Sequence, residues 1–278
     1  MLVAGCGWLG TALARRLLAR GDRVTGIRRD PSRAAALAPL GIEPLALDLA
    51  DPAAGALLPS TDAVVACQAA GADSEPAYRA AYLDANRVLL AAAERSGARF
   101  VYTGSTGVFG QRDGSEVDET TAPAPASATA EVLARAERLV LERAAAGARA
   151  SLVRLSGLYG PGRVGVVERV RSGALALGPG EGAWMNFCHL DDAIAFVVAA
   201  LDRAPAGGVF HGSDARPAQR REVVEWIAQR IGIAPPRSER ASPGPDRRIS
   251  SAWTRATLGV ELRWPSFAQG LAPLVRSP

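Results

Sequence analysis

The chain has 278 residues, 48% hydrophobic and 22% charged, with a formal net charge of +4, which suits a globular protein of one large domain or two joined ones. It has no apolar run approaching the roughly 18 residues that a membrane span needs. All 32 Lys+Arg residues are arginines, scattered among few aromatics, and there are 3 cysteines and 2 histidines; we therefore expect no nucleic-acid partner, no disulfide framework and no metal site, in a reducing cytoplasm.

The apolar residues 2–4 read as a first core strand rather than a leader, since Gly5-Cys6-Gly7 follows at once and no basic segment precedes them. A helix is expected over 11–20, with Ala12, Leu13, Leu17 and Leu18 on one face and Gly21 closing it. Between strand and helix lies Gly5-Cys6-Gly7-Trp8-Leu9-Gly10. In this spacing the first glycine permits a tight turn, the second lets backbone approach a pyrophosphate, and the third lets helix pack on strand. The helix start offers amides and a positive dipole end to phosphate. We read Gly5, Gly7, Trp8, Leu9 and Gly10 as a dinucleotide site. A second strand is expected over 23–27, and its end selects the nucleotide. An acid there would bind the ribose 2′-hydroxyl, but the chain has Arg28-Arg29, and guanidinium pairs with phosphate in a forked geometry. Arg28 and Arg29 favour NADP, while Asp30 beside them keeps NAD open.

A proline-started helix over 31–40, a third strand over 42–47 and a fourth over 63–67 follow. Asp48 is placed to reach the adenine amino group, and Cys67, Gln68 and Ala69 to line the cofactor groove. Cys6 and Cys67 should border the nucleotide, which would then shield both thiols from alkylation. A long helix over 75–96, a strand over 99–103, a helix over 127–146 and a strand over 150–155 continue the alternation. Beyond residue 160 the rhythm breaks into helices over 164–172, 191–202 and 221–231 and a proline-rich surface loop over 234–245. The expected fold is α/β: a Rossmann doubly wound parallel sheet with helices on both faces, built from 1–162 with 186–212 returning to it. Residues 163–185 and 213–278 should form a small substrate-binding domain, with Arg163, Trp184 and Asn186 flanking a small-molecule substrate.

Three segments carry a family resemblance. Val101-Tyr102-Thr103-Gly104-Ser105-Thr106-Gly107-Val108-Phe109-Gly110 resembles the fifth-strand signature, ending Ser-Ser-x-x-Val-Tyr-Gly, of the extended short-chain dehydrogenase/reductase family, the NAD(P)-dependent epimerases and dehydratases. Arg154-Leu155-Ser156-Gly157-Leu158-Tyr159-Gly160-Pro161-Gly162 is similar to its Arg-Leu-x-x-x-Tyr-Gly-Pro-Gly segment, and Asn186-Phe187-Cys188-His189-Leu190-Asp191-Asp192 to its Phe-x-His-Val-x-Asp segment. The resemblance covers essentially the whole chain. It implies an oxidoreductase acting on a small carbonyl, alcohol or sugar-type substrate, with Gly104 and Ser156 beside the cofactor. It also implies a homodimer through the helices at 75–96 and 127–146.

In that family a serine or threonine, a tyrosine and a lysine do the acid–base work, the lysine lowering the tyrosine pKa. Ser105 falls at the serine. Aligning Glu137 with the family's helix glutamate puts Thr129 at the tyrosine and Leu133 at the lysine; the chain has no lysine, and 127–146 has no tyrosine. This loss, with the Gly-x-Gly-x-x-Gly spacing, is similar to an atypical branch that binds nucleotide without the tyrosine. The catalytic candidates are Ser105, Thr129 and His189, whose imidazole ordinarily titrates near neutrality. Two readings stand: an epimerase/dehydratase-like oxidoreductase in which Ser105 orients a substrate oxygen, or a regulatory protein that senses NADP(H) without chemistry.

Overall fold

The computed structural model describes residues 1–240 and 244–275. The chain opens on β1 (Leu2–Ala4), three fully buried residues, and turns at Gly5 into α1 (Trp8–Ala19). The helix starts at Trp8 rather than at 11 because Gly10 is already helical, packed on the preceding turn. β2 (Thr25–Arg28), α2 (Pro31–Ala35), β3 (Glu43–Ala46) and β4 (Ala63–Ala66) follow. α2 is shorter than expected: a separate 3-10 turn, Ala38–Leu40, leads to Gly41 at φ 77°. The helix expected over 75–96 is α3 (Glu75–Tyr78), a π-helical stretch (Arg79–Asp84) and α4 (Ala85–Arg95) in continuous succession.

β5 (Arg99–Ser105), β6 (Arg112–Val117), α5 (Ala128–Ala145), β7 (Ala150–Leu155), β8 (Gly157–Tyr159) and α6 (Gly165–Arg171) come next. α5 begins where the Ser127 hydroxyl accepts the Ala130 amide, with Glu131 in its first turn and Arg143 in its last, so both ends suit the helix dipole. β7 is buried along its whole length, as a strand covered on both faces must be. The chain ends with β9 (Trp184–Met185), β10 (Phe187–His189), α7 (Leu190–Arg203), β11 (Val209–Gly212), β12 (Ala218–Gln219), α8 (Arg220–Arg230), β13 (Asp246–Ile249), α9 (Ala252–Leu258) and α10 (Phe267–Leu271).

Seven strands form one sheet in the order β11-β7-β5-β4-β1-β2-β3, parallel in every pairing from β3 through β5. β1 lies between β2 and β4, so strand order reverses at β1, beside the glycine turn. This switch point is where doubly wound sheets place their ligand.

The chain divides into two units. The larger comprises residues 1–109, 125–154 and 196–210; its core includes Leu2, Ile27, Val64, Leu89, Phe100, Tyr102, Val140 and Leu152. The smaller comprises 110–124, 155–195 and 211–278 and packs around Tyr159, Val170, Phe187, Val224, Ile227 and Phe267. Residues 110–124 group with the smaller unit, where the sequence suggested the larger, because β6 pairs in parallel with β13, setting Glu116 beside Arg248 and Val117 beside Ile249. Of the loop expected over 234–245, residues 241–243 lie outside the described residues, and Arg237 bridges to Leu177. Among the described residues no helix is long and apolar enough to cross a membrane.

Candidate nucleotide site and the residues around it

Gly5 sits at φ 78°, and a Cβ there would come within 2.3 Å of the Gln68 Cα. A Cβ on Gly10 would lie 2.3 Å from the Gly5 carbonyl oxygen. Both positions therefore admit only glycine. Gly7 differs: a Cβ there would meet nothing nearer than 3.9 Å, so its bareness leaves open space above the turn. No side chain caps α1 at Gly7, and its first-turn amides have no acceptor within the helix. The Thr11 hydroxyl donates to the Cys6 carbonyl at 2.8 Å, fixing the turn from below.

Arg28 closes β2, and its Nε is buried without a hydrogen-bond partner. Its charge reaches the Cys6 thiol, so the guanidinium lies near the glycine turn. Arg29 is exposed. The Asp30 carboxylate accepts the Arg33 amide at 2.8 Å and caps α2, which commits that acid to the helix. Asp48 is exposed and accepts the Ala50 amide at 3.0 Å. After β4, the Cys67 amide donates to the Ala4 carbonyl at 2.8 Å, and the Gln68 side chain donates to Asn86 at 2.8 Å, leaving its own Oε1 buried without a donor. Ala69 is exposed. An open glycine cradle and an unpartnered buried guanidinium nitrogen fit a phosphorylated dinucleotide.

The thiol expectation is corrected. Cys6 and Cys67 do stand together, since β1 and β4 are neighbours, but both are buried. Burial pushes the Cys6 thiol up to about 11 and the Cys67 thiol up to about 12. Burial and the raised pKa both disfavour the reactive thiolate, with or without a nucleotide to cover them.

Ser105 ends β5, and its Oγ accepts the Gly107 amide at 3.0 Å. Leu133 packs beside this turn, 3.6 Å from where a Gly107 Cβ would be, and is buried. An apolar side chain thus stands where the resemblance expects an ammonium. Thr129 is half-buried in the first turn of α5, its hydroxyl 3.2 Å from that of Ser127. Gly104 faces Glu137: a Cβ there would lie 3.3 Å from Oε1. Glu137 is itself buried and paired with Arg154, whose Nε donates to both carboxylate oxygens at 3.1 Å and whose Nη2 donates at 2.9 Å. Burial raises the Glu137 pKa, and Arg154 opposes that rise. The same guanidinium lies 5.0 Å from the Phe109 ring.

In the smaller unit, Ser156 is buried; its amide donates to the Gly212 carbonyl at 2.9 Å and its Oγ has no partner. His189 departs from the expectation of a group titrating near neutrality. Only 3% of its side chain is exposed, and burial lowers its pKa. Its Nδ1 accepts the Asp191 amide at 3.1 Å, which puts the proton of the neutral ring on Nε2. The ring centroid lies 5.2 Å from that of Tyr159 and 5.1 Å from that of Trp264. Asn186 is likewise engaged: it donates to the Arg247 carbonyl at 2.9 Å and accepts the Ile249 amide at 2.8 Å, stitching β13 in place.

A glycine turn at the switch point of a parallel sheet, with an arginine at the end of the second strand, defines a dinucleotide-binding protein of Rossmann type. The profile of the NAD dependent epimerase/dehydratase family matches residues 1–211, and the chain belongs to that family. It is 31% identical over 273 residues to Protein YeeZ of Escherichia coli K12, covering 95% of each chain. It is 30% identical over 310 residues to a 3-diazoavenalumate denitrifying reductase of Streptomyces sp, covering 98% of each. A solved structure from Methylobacillus flagellatus, assigned to the NAD-dependent epimerases/dehydratases, is 30% identical with a TM-score of 0.78, over 98% of this chain and 96% of that one.

Proposed function

We propose that the chain is an NADP(H)-dependent oxidoreductase acting on a small carbonyl, alcohol or sugar-type substrate without a tyrosine–lysine pair. The observation that carries this reading is the unpartnered Arg28 Nε near the glycine turn, with Asp30 already spent as a helix cap. A bound nicotinamide would supply or accept the hydride. Gly7 and the first turn of α1 hold the diphosphate, Arg28 and Arg29 hold a 2′-phosphate, and Asp48 reaches the adenine. Because Ser105 accepts from Gly107, its own proton remains available to donate to a substrate oxygen and orient it. With Leu133 rather than a lysine beside the Ser105 turn, no ammonium assists a proton donor, and the substrate oxygen exchanges its proton with water. The reductase relative from Streptomyces supports reduction as the direction of the chemistry.

Fluorescence titration with NADPH and NADH tests the reading. NADPH is expected to bind more tightly, and Arg28→Ala to weaken it roughly 10- to 100-fold, the worth of a hydrogen bond to a charged group, with NADH little changed. An equal loss for both nucleotides would overturn the assignment of Arg28. A regulatory protein that senses NADP(H) is the second reading, favoured by the loss of tyrosine and lysine from α5. It is the correct one if NADPH binds tightly and no carbonyl substrate oxidises it.

A further inference from the structure

The smaller unit contains a cavity of about 210 Å³ that the nucleotide site does not use. Its lining includes Glu116 from β6, Asp214 beyond β11, Arg248 from β13 and Arg255 from α9. Asp214 is 2% exposed. Both of its carboxylate oxygens are buried with no hydrogen-bond partner; the Arg216 and Phe267 amides ease its charge without reaching hydrogen-bond geometry. Buried acceptors in folded proteins are almost always satisfied, and exceptions call for an explanation, of which a bound water, ion or ligand is one. Arg255 has the complementary gap, a buried Nε with no acceptor. Glu116 and Arg248 are register partners, yet Arg248 turns away: its Nε donates to the Gly114 carbonyl at 3.0 Å and its guanidinium lies 5.6 Å from the Trp184 ring centroid. No ion pair joins these two acids to these two arginines among the described residues.

Acids and arginines that share a cavity without pairing are left uncompensated, Asp214 by keeping its proton, and a ligand carrying both signs completes each of them. We propose that this cavity binds a small zwitterion of amino-acid type, its ammonium meeting Asp214 and Glu116 and its carboxylate meeting Arg248 and Arg255. The size agrees, since the cavity falls below the roughly 300–1,000 Å³ of sites for drug-sized ligands. The floor is fixed: the Ser251 hydroxyl donates to the Ser213 carbonyl at 2.8 Å, and the Thr254 amide, in the first turn of α9, donates to Glu119 at 3.2 Å. Burial holds the Asp214 pKa up, at about 8; Asp192 pushes in the same direction and Arg216 opposes, and Tyr159 and Cys188 are the other titratable groups coupled to this carboxylate. An arriving ammonium therefore displaces a proton below that pH.

Calorimetry on the full chain tests this, with glycine, L-serine, L-threonine and β-alanine as probes and lactate and ethanolamine as their single-charge counterparts. At least one amino acid is expected to give saturable heat, with proton release at neutral pH seen across buffers of different ionisation enthalpy. Both counterparts should bind roughly tenfold or more weakly. Asp214→Asn and Arg255→Gln should each weaken the amino acid, with NADPH titration and thermal unfolding showing both variants folded. No saturable binding of any amino acid overturns the proposal and leaves a water-filled cavity. Lactate binding as well as the amino acid, or amino-acid binding indifferent to both substitutions, overturns it equally.

Discussion

The role proposed for Ser105 rests on a single hydrogen bond: the Gly107 amide fills one lone pair of Oγ and so leaves the hydroxyl proton to donate elsewhere. Ser105→Ala is expected to lower kcat roughly 100- to 1,000-fold, the usual loss of one positioned donor, and to leave NADPH affinity unchanged. Steady-state rates alongside a nucleotide titration check this; an unchanged kcat would remove Ser105 from the chemistry. The three thiols make the opposite case. All are buried, so the native protein should resist a thiol reagent at neutral pH with or without nucleotide, and react at all three only in urea. The glycine turn is legible in sequence because its spacing marks a strand-to-helix turn, although Gln68, far along the chain, is what excludes a side chain at Gly5. His189 and Asp214 are not, because burial decides their protonation and residues far along the chain decide burial. Asp214 stands among Ser213, Ala215 and Arg216 with no spacing to mark it.

Between elements, one pair ties α5 to β7: Glu137 with Arg154, both side chains at most 4% exposed. Replacing either alone strands a buried charge. Arg154→Leu is expected to cost about 3–5 kcal/mol, measured by urea unfolding, and the Glu137→Leu/Arg154→Leu double variant less than that. A double-variant loss equal to the sum of the two single losses would show that no coupling exists. The strands β1 to β5 and β7 and most helices of the larger unit can be read from apolar spacing. β6 and β13 cannot: Arg112–Val117 is largely polar, and its partner lies more than a hundred residues away. The π-helical stretch is also invisible, since a one-residue widening leaves the composition of a helix unchanged. It nevertheless places Tyr82, whose hydroxyl accepts the Ala70 amide at 3.4 Å in the loop after β4.

For the molecule as a whole, Asp214 sets part of the response of stability to pH. Its folded pKa is raised to about 8, against roughly 3.9 when unfolded. Between those values the native state holds a proton that the unfolded state has lost. The contribution is therefore fully present below about pH 4 and lost as pH rises toward 8. Glu137 and Asp192 are shifted in the same direction; His189, lowered by burial, acts with the opposite sign. The check is the difference between wild type and Asp214→Asn in urea unfolding across that window: the variant should show a flatter decline, and identical slopes would place the carboxyl in contact with water. The division into two units also has a consequence during synthesis. The larger unit is written in three separated stretches, and its last edge strand begins only at Val209. A ribosome must pass that point before β7 gains its outer neighbour, and until then the growing sheet carries an open edge able to pair with another nascent chain. No single continuous cut of the gene would yield either unit whole.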